Sequence, residues 1–332
     1  AFQEYRSEPP MKEIKVTKND SGQRIDRFLS KSFPLGQGQI CKLARKNCIK
    51  LNGKKCKPDT HIAENDIIKL FIPDEMLIPK AKTDSDDFTS VSDKIDIVYE
   101  DENILLVDKP VGMVVHEDES GDSDTLINRI KSYLYHKGEY RPENELSFAP
   151  ALCNRIDRNT CGIVIAAKNA ESLRILNQKI RDRELTKLYL CIACGKVTPD
   201  SATLTAYLEK NSDTNTVKIS DKKTKSNLTI KTKYKVIAYN GENSLIKVDL
   251  LTGRTHQIRA HLAYIGHALL GDGKYGNNKL NKKYGFKYQA LCSYELQFKF
   301  TTDAGCLSYL DGKCFKAKAP DFVKMFGGNI KL

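Results

Sequence analysis

The sequence has no long apolar run. No segment of its 332 residues approaches the roughly 18 consecutive apolar residues that a transmembrane helix requires. The first ten residues are polar and have no apolar core of the kind found in signal peptides. We therefore expect a cytoplasmic protein that does not enter a membrane. Met11 is a candidate natural start, so residues 1–10 need not belong to the fold.

Signature motifs of several enzyme classes are also missing. There is no Walker A loop, no H-E-x-x-H and no G-x-S-x-G, which argues against the P-loop, zinc-protease and α/β-hydrolase classes. Gly271–Gly276 matches G-x-G-x-x-G by letter. It lacks the strand–turn–helix setting and the early position in a βαβ unit that dinucleotide binding requires. We therefore reject it as a cofactor site.

Cysteine is present, but not in a pattern typical of metal sites. The ten cysteines are scattered, mostly among apolar residues, which is typical of reduced thiols in the cytoplasm. Cys191 and Cys194 form a C-x-x-C within a strand-like apolar run, where positions three apart point to opposite faces. Because no second pair completes a zinc site, we expect no bound metal.

Basic residues are in excess, with 54 Lys and Arg against 42 Asp and Glu and a net charge of +12. This excess favours a polyanionic partner, with nucleic acid as the first candidate, although a basic solvated surface is the alternative. Lys218–Lys235 is rich in lysine and has the same two interpretations, an RNA contact or a solvated sheet face. The charge therefore indicates a class of partner rather than a site.

A small basic module is predicted near the N-terminal end. Apolar spacing predicts helices around Ile25–Phe33 and about Gln39–Lys46, and Asn52 followed by Gly53 predicts a hairpin. Seven basic residues and no acidic one lie between positions 42 and 57. On a rigid helix and hairpin these cations suit phosphate contacts, and a solvated face is again the alternative. The candidate RNA-binding residues are Lys42, Arg45, Lys46, Lys50, Lys54 and Lys55.

This module resembles the S4 RNA-binding domain over about Ser21–Ile72, and the resemblance implies that it docks on structured RNA. The polar, partly acidic stretch that follows is typical of a linker. We therefore expect an N-terminal tail at 1–12, an S4-like domain at 13–75, a linker at 76–92 and a larger domain at 93–332.

The larger domain is predicted to mix strands and helices. Apolar runs predict strands at Ile104–Asp108 and Met113–His116, and helical spacing predicts helices at Thr125–Leu134 and Glu171–Arg183. Between Leu204 and Ile246, short alternating runs with Asn and Gly breaks predict antiparallel β structure. Together with the N-terminal module, this pattern predicts an α+β fold.

One carboxylate in the larger domain is a candidate for chemistry. Asp157 lies between Arg155 and Arg158, just before an apolar strand-like run, and the adjacent cations favour its ionised form. Gly162 at the start of that run predicts a bend or a close approach by another group. The same tetrapeptide occurs at Arg24–Arg27, where its aspartate lies near a helix start and is interpreted as structural. Taken alone, the motif is also typical of a surface ion pair in a turn.

A strand-to-helix junction later in the chain gives a second set of candidates. Residues 252–253 break a strand, and a helix follows with Ile258 on its apolar face. His256 and Arg259 are three residues apart near the helix start, where they are suited to hold an anion. A purely structural role is the alternative for His256 and for His261.

These residues limit the possible chemistry. Ordinary glycoside hydrolysis uses two carboxylates, and phosphoryl transfer uses metal ligands. A lone ionised aspartate suits attack on a nucleoside, at the anomeric carbon of the sugar or at the base. The nucleoside must first leave its stack, which requires a flipping or intercalating side chain and an aromatic platform.

Four separated motifs resemble the RluA-type pseudouridine synthases. They are the stretch at 99–116, Arg155–Gly162, Lys187-x-Tyr189 and the stretch at 252–261. With the S4-like module in front, the resemblance is greatest to the RluC branch, which acts on large-subunit ribosomal RNA. The resemblance covers the chain from about Ser21 onward. It implies the pseudouridine synthase fold, a mixed and mainly antiparallel β-sheet flanked by helices, for the larger domain.

The resemblance also implies roles for individual residues. Asp157 corresponds to the catalytic aspartate that breaks the C1′–N1 bond of uridine and allows rejoining through C5. Tyr189 corresponds to the tyrosine that packs on the base and is a candidate for deprotonating C5, and Arg259 to the arginine that ion-pairs with the aspartate. Ile258 supports the base, and Arg155 helps to fill the space left by the flipped nucleotide. The expected substrate-binding residues are Arg155, Arg254, His256 and Ile258.

Two positions depart from the family pattern, since Asn154 and Cys161 stand where the family usually has His and Ser. Neither change removes an atom needed for the chemistry, but both bear on loop order and RNA fit. The isomerisation needs no cofactor, and we expect a monomer acting on 23S ribosomal RNA. The alternatives are a transfer-RNA pseudouridine synthase and a catalytically silent RNA-binding factor in ribosome assembly.

Overall fold

The computed structural model describes residues 11–78, 88–117, 121–211, 213–327 and 330–332. The expectations for residues 1–10 and for linker residues 79–87 therefore lie outside the described part of the chain. The described residues divide into two units. The first comprises the N-terminal region up to residue 93 with segments 131–150 and 168–171, and the second comprises the rest. The first unit thus includes two segments from the range assigned above to the larger domain.

The N-terminal part of the first unit is a four-stranded antiparallel sheet with two helices. Its sheet has the order β1-β4-β2-β3, and β1 begins inside the tail expected at 1–12. Ile25, Phe28 and Leu29 are buried, as their helical spacing predicted. The elements are β1 (Met11–Lys15), α1 (Ile25–Ser32), α2 (Gln37–Arg45), β2 (Ile49–Leu51), β3 (Lys54–Lys55) and β4 (Ile67–Phe71).

The predicted hairpin of this unit is confirmed. Asn52 and Gly53 both have positive φ, 50° and 76°, and Lys50 pairs with Lys55 across the turn. Two consecutive positive φ angles match the twist of the flanking strands, which is why Asn-Gly is favoured there. The turn fixes the register and so brings the hairpin lysines together on one short ribbon.

The second unit is built on an eleven-stranded mixed sheet. Its main path is β11-β10-β12-β13-β9-β14-β8-β6-β5, with β15 on β14 and β7 on β8. The strands are β5 (Ile97–Glu100), β6 (Ile104–Lys109), β7 (Ala151–Leu152), β8 (Cys161–Ala167), β9 (Leu185–Cys194), β10 (Ser201–Asn211), β11 (Thr216–Ser220), β12 (Leu228–Tyr239), β13 (Asn243–Asp249), β14 (Leu291–Phe298) and β15 (Cys314–Lys316). The remaining helices of the chain are α3 (Leu126–His136), α4 (Ala170–Arg181), α5 (Gln257–Tyr264) and α6 (Asn278–Lys283).

The pairing of these strands confirms the α+β fold class and the mainly antiparallel sheet. Strands β10 to β13 pair antiparallel across the region 204–246, as its alternation predicted. In β12, the side chains of Lys231, Lys233 and Lys235 are exposed while Thr232 and Tyr234 are buried, which is the period of a sheet with one solvated face. The C-x-x-C of Cys191 and Cys194 lies in β9, as expected.

The strand predicted at Met113–His116 is wrong. This segment pairs with no strand and instead leads toward α3, where the carbonyls of Val114 and Val115 accept hydrogen bonds from the backbone N–H groups of Leu126 (2.9 Å) and Ile127 (3.2 Å). The first N–H groups of a helix have no partner within the helix. The carbonyls of the apolar run therefore bind the first N–H groups of α3. The local sequence of such a run does not show whether it will do this or pair as a strand.

One parallel pairing links β8 to β14 within the otherwise antiparallel central path. In this β8–β14 junction, Cys161 pairs with Cys292 and Gly162 with Ser293. Gly162 has φ 107°, and a Cβ atom added there would overlap the backbone of Ser293, whose nitrogen would be only 2.7 Å away. The close approach predicted for this glycine is therefore confirmed, and its partner is the neighbouring strand.

We predict that Gly162→Ala destabilises the protein by about 3 kcal/mol or more, because the added carbon strains φ and meets backbone that cannot move aside. Urea unfolding followed by circular dichroism measures the change. Gly253→Ala is the matched control, since no atom lies within 4 Å of its added Cβ. It should change the free energy of unfolding by less than about 0.5 kcal/mol. Equal effects of the two substitutions would contradict this account of the junction.

Candidate active site

The loop that carries Asp157 is held by buried polar contacts. Lys109 is fully buried, and its ammonium donates to the carbonyls of Pro110 (2.8 Å), Met113 (2.8 Å) and Arg158 (2.9 Å). Burial lowers the pKa of Lys109 to about 8. The three carbonyls satisfy all three donors of the ammonium group, so the side chain fixes the loop after Asp157 to the turn after β6.

The loop is also fixed at its beginning. The side-chain oxygen of Asn154 accepts a hydrogen bond of 2.8 Å from the backbone N–H of Ile165 in β8. Within the loop, the backbone N–H of Thr160 donates to the carbonyl of Asp157 at 3.0 Å. Asn154, one of the two departures from the family pattern, thus has a structural role that orders the loop.

Asp157 is paired with residues far away in sequence. Its Oδ2 atom accepts a hydrogen bond of 2.9 Å from Nη1 of Arg259, which lies 102 residues further along the chain. Nε2 of His256 is 3.9 Å from the same oxygen. The anion that the strand-to-helix junction holds is therefore Asp157 itself. Its side chain is 27% exposed, so the carboxylate is anchored on one side and reachable from solvent.

A second carboxylate, Asp272, fixes the orientation of Arg259. The Nε and Nη2 atoms of Arg259 donate to the two oxygens of Asp272 at 2.7 and 2.9 Å, and Asp272 is fully buried. The backbone N–H groups of Lys274 and Tyr275 donate to Asp272 as well. Although burial opposes it, the hydrogen bond from Arg259 holds the pKa of Asp272 below its ordinary value. One edge of the guanidinium, formed by Nε and Nη2, thus binds Asp272 and leaves Nη1 for Asp157.

His256 is held in place by an aromatic neighbour. It precedes α5 in a left-handed conformation with φ 52°, and its Nδ1 lies 2.9 Å from the hydroxyl of Tyr275. That hydroxyl accepts from the backbone N–H of Val217 at 2.9 Å, so its own hydrogen is available for Nδ1. Burial lowers the pKa of His256, which favours a neutral ring. We assign the proton of that ring to Nε2, facing Asp157.

His261, which lies within α5, has the purely structural role that was the alternative interpretation for both histidines. His261 is buried, and its Nδ1 lies 2.9 Å from the hydroxyl of Thr232 in β12. Burial lowers the pKa of His261 to about 4. The ring is therefore neutral at physiological pH and attaches α5 to the sheet.

The site also contains an apolar cluster. Tyr189 of β9 and Ile258 of α5 are buried in one cluster with Val248, and Ile156 packs against it. Burial raises the pKa of Tyr189 to about 12. Ile156 and Ile258, which directly precede Asp157 and Arg259 in sequence, thus belong with the expected tyrosine to one apolar region.

The remaining expected residues are on the surface. Arg155 and Arg254 are exposed, the first beside Asp157 in sequence and the second just before α5. In the first unit, the candidate RNA-binding residues are exposed except for Lys50, which is half-buried. Exposed cations of this kind are suited to phosphate contacts.

Comparison with known proteins identifies the family. A family model described as RNA pseudouridylate synthase matches residues 103–264. An uncharacterised RNA pseudouridine synthase of Mycoplasma genitalium is 37% identical over 294 residues, covering 85% of this chain and 88% of the relative. The chain belongs to the RluA-type RNA pseudouridine synthases. It is therefore an isomerase that converts uridine in RNA to pseudouridine.

Further relatives and solved structures agree with this membership. The ribosomal large subunit pseudouridine synthase C of Escherichia coli K12 is 30% identical over 287 residues, covering 83% of each chain. The human protein RNA pseudouridylate synthase domain containing 4 superimposes with a TM-score of 0.54 at 18% identity, covering 69% of this chain and 90% of that one. At this identity the structural likeness shows the fold. Among the described residues of the synthase, no helix is long and apolar enough to span a membrane.

Sequence reasoning missed three residues of this site, Lys109, Asp272 and Tyr275. Asp272 and Tyr275 lie in the glycine-rich stretch that was rejected as a dinucleotide loop, where the chain forms a turn between a β-bridge at Leu269 and α6. The signal was an acidic residue between two glycines directly after an apolar run. Lys109 was detectable only as a lysine at the end of a strand that begins with the apolar run Ile104–Val107, where a charge is costly unless it is bonded.

We predict that Asp272→Asn lowers kcat by about 10- to 100-fold with little change in KM, because Arg259 loses the charge that orients it. Single-turnover isomerisation assays measure this effect. Glu184→Gln is the matched control, since it breaks a buried ion pair with Lys179 (2.6 Å) that contacts Thr301 and Thr302 instead of the site. It should lower stability and leave kcat within about twofold. A wild-type kcat in Asp272→Asn would contradict the orienting role.

Proposed function

We propose that the synthase isomerises uridines of large-subunit ribosomal RNA with Asp157 as its catalytic residue. The observation that carries this proposal is the state of that carboxylate. It is partly exposed, while the groups that hold it, Arg259 and His256, have side chains that are only 7% and 8% exposed. A lone carboxylate with a fixed, buried anchor and an open side is suited to attack a flipped nucleoside.

The geometry supports a division of labour between the two oxygens of Asp157. Both the contact with Arg259 and that with His256 are made by Oδ2. We therefore assign the attack to Oδ1. Arg259 keeps the carboxylate oriented, and it stabilises the charge when the aspartate leaves again. Attack at C1′ of the ribose and attack on the uracil ring both use this oxygen.

Tyr189 is proposed to pack on the uracil rather than to act as a base. With its pKa raised to about 12 by burial, the phenol is neutral at physiological pH and is a poor acceptor for the C5 proton. Its ring shares an apolar cluster with Ile258, and the two side chains form a surface against which a detached uracil can turn. The C1′–N1 bond breaks, the C1′–C5 bond forms, C5 loses its proton and N1 takes one up, so atoms balance without a cofactor.

The ribosomal substrate is supported by two separate observations. The Escherichia coli relative is by its name a large-subunit enzyme and aligns over 83% of this chain. In addition, the helix and hairpin of the first unit carry exposed cations at positions 42, 45, 46, 54 and 55. We propose that this S4-like module docks on ribosomal RNA, that Arg155 and Arg254 contact the RNA near the flipped nucleotide, and that the synthase works as a cytoplasmic monomer.

Asp157→Asn should abolish isomerisation while RNA binding stays within about twofold, because the amide is a far weaker nucleophile of nearly the same shape. The measurement is a pseudouridine map of ribosomal and transfer RNA from cells that lack the gene, complemented with either variant. Asp26→Asn, the same substitution in the duplicate tetrapeptide, is the control and should restore the modification.

Each outcome of that map has one interpretation. Loss and restoration at large-subunit uridines supports the proposal. Changes confined to transfer RNA would replace the ribosomal substrate by the transfer-RNA alternative. Modification by Asp157→Asn would remove the aspartate from its assigned role, and an RNA map unchanged by deletion of the gene would favour the silent assembly factor.

Removing Lys42 and Arg45 together, both exposed on α2, should weaken RNA binding most at low salt. Each lost phosphate contact reduces the slope of log K against log salt by about 0.7 to 0.9, so the pair should reduce it by about 1.5. Filter binding across a salt series measures the slope. The double variant Lys283→Ala with Lys324→Ala removes the same amount of charge elsewhere on the surface, and it should leave the slope unchanged. Equal slopes for both double variants would show that the S4-like module does not dock the RNA.

A further inference from the structure

Two thiols face each other at the β8–β14 junction. Cys161 and Cys292 are register partners in a parallel pair of strands, so their side chains emerge on the same face. Neighbouring strands are about 4.8 Å apart in the hydrogen-bonding direction. That spacing lies within the range of about 4.4 to 6.8 Å found between the Cα atoms of disulfide-linked cysteines. The backbone itself thus places this pair at bonding distance.

The two side chains differ in their surroundings. The thiol of Cys161 donates a hydrogen bond to the carbonyl of Leu291 at 3.7 Å. Both cysteines are free thiols, and Cys292 is 1% exposed while Cys161 is half-buried. Cys161 is therefore partly accessible, and Cys292 is enclosed by the protein.

The pKa values of the two thiols also favour reaction at Cys161. The interaction with Cys292 lowers the pKa of Cys161, and the nearby Lys109 ammonium acts in the same direction. The same interaction, together with burial, raises the pKa of Cys292. The thiolate is the reactive form of cysteine, so Cys161 is the sulfur that reacts first with an oxidant.

A path for a small oxidant leads to Cys161. This residue lines a cavity of about 540 Å³ together with Lys109, Phe286 and Phe322. A cavity of that size admits a hydroperoxide, whose reduction the neighbouring cation favours by stabilising the developing negative charge. The catalytic residues Asp157, Tyr189 and Arg259 are absent from its lining.

We propose that Cys161 and Cys292 form a reversible disulfide when the synthase meets a hydroperoxide, and that this bond slows isomerisation. The Cys161 thiolate attacks the peroxide, so that an S–O bond forms, the O–O bond breaks and an alkoxide or hydroxide leaves, which takes up the proton that the thiol lost and becomes an alcohol or water. The sulfur of Cys292 then attacks the sulfenic acid, the S–O bond breaks and hydroxide leaves with the Cys292 proton as water. The two sulfurs lose two electrons and the peroxide gains them, and a dithiol reverses the change.

The bond lies between the two parts of the active site. Cys161 follows Thr160, which is hydrogen-bonded to the carbonyl of Asp157, and Cys292 precedes Ser293, which pairs with Tyr189 across the sheet. A covalent link removes the hydrogen bond from Cys161 to Leu291 and brings the two sulfurs to about 2.05 Å from each other, so that Cys161 and the adjoining loop must shift. Displacements of about 1 Å can cost ~100-fold in rate, so we expect a loss of about tenfold or more.

The direct test measures the bond itself. The intact enzyme is treated with hydrogen peroxide, blocked with N-ethylmaleimide and digested with trypsin without reduction. Residues 159–168 and 288–299 each contain a single cysteine, and cleavage after Arg158 and Lys287 releases them. Mass spectrometry should detect these two peptides joined, two hydrogen atoms lighter than their sum, and dithiothreitol should separate them. Absence of this link, with both thiols alkylated, would overturn the proposal.

Three variants separate the roles of the sulfurs. Cys161→Ser introduces the residue usual in the family, so it should keep its activity and lose both the link and the peroxide sensitivity. Cys292→Ala should leave a sulfenic acid on Cys161 that dimedone traps. Cys314→Ser is the control, since Cys314 is an exposed thiol away from the junction, and it should form the link normally. A link between other cysteines would equally overturn the assignment.

The effect on rate is measured on the same samples and rests on the proposed function of Asp157. Linked enzyme should isomerise RNA about tenfold or more slowly and recover on reduction. A linked enzyme with unchanged rate would overturn the coupling to the active site. Because the mass measurement needs no activity, failure of the disulfide is distinguishable from failure of the proposed catalytic role.

Discussion

The geometry of this site depends on one guanidinium group shared between two carboxylates. Arg259 binds buried Asp272 through two nitrogens and Asp157 through the third. A buried charge without a partner is costly, so each member of this group requires the others. The consequence is an orientation set from inside the protein. Asp157 can remain open to solvent on its other side because buried groups of the protein fix its position.

A second constraint supports the same carboxylate from the opposite end of the loop. Lys109 is buried where charge is unfavourable, and three backbone carbonyls compensate for the lost water. Such fully bonded polar groups make a loop rigid, since any alternative conformation leaves a donor unsatisfied. The loop of Asp157 is thus fixed by strand β8, by Lys109 and by Arg259. Preorganisation of this kind is what the role proposed for Asp157 requires.

Local patterns account for most of the fold. Asn52 and Gly53 specify their hairpin, and helical spacing specifies α1 and α2, because turn geometry and amphipathic periodicity are properties of short segments. The error at Met113–His116 has the same origin. An apolar run can enter a sheet or accept hydrogen bonds from a helix start, and the choice depends on α3, which lies outside the run.

The sequence by itself determined the motifs, the basic charge and the candidates Asp157, Tyr189, His256 and Arg259, because each is a residue type in a recognisable local setting. Only the tertiary structure decided how they connect. The cation bonded to Asp157 comes from a position 102 residues away, although arginines flank it in the chain. Asp272 pairs with Arg259 because the packed sheet and α5 bring these two groups together, and a buried charge requires a partner. No local sequence pattern records which groups will meet.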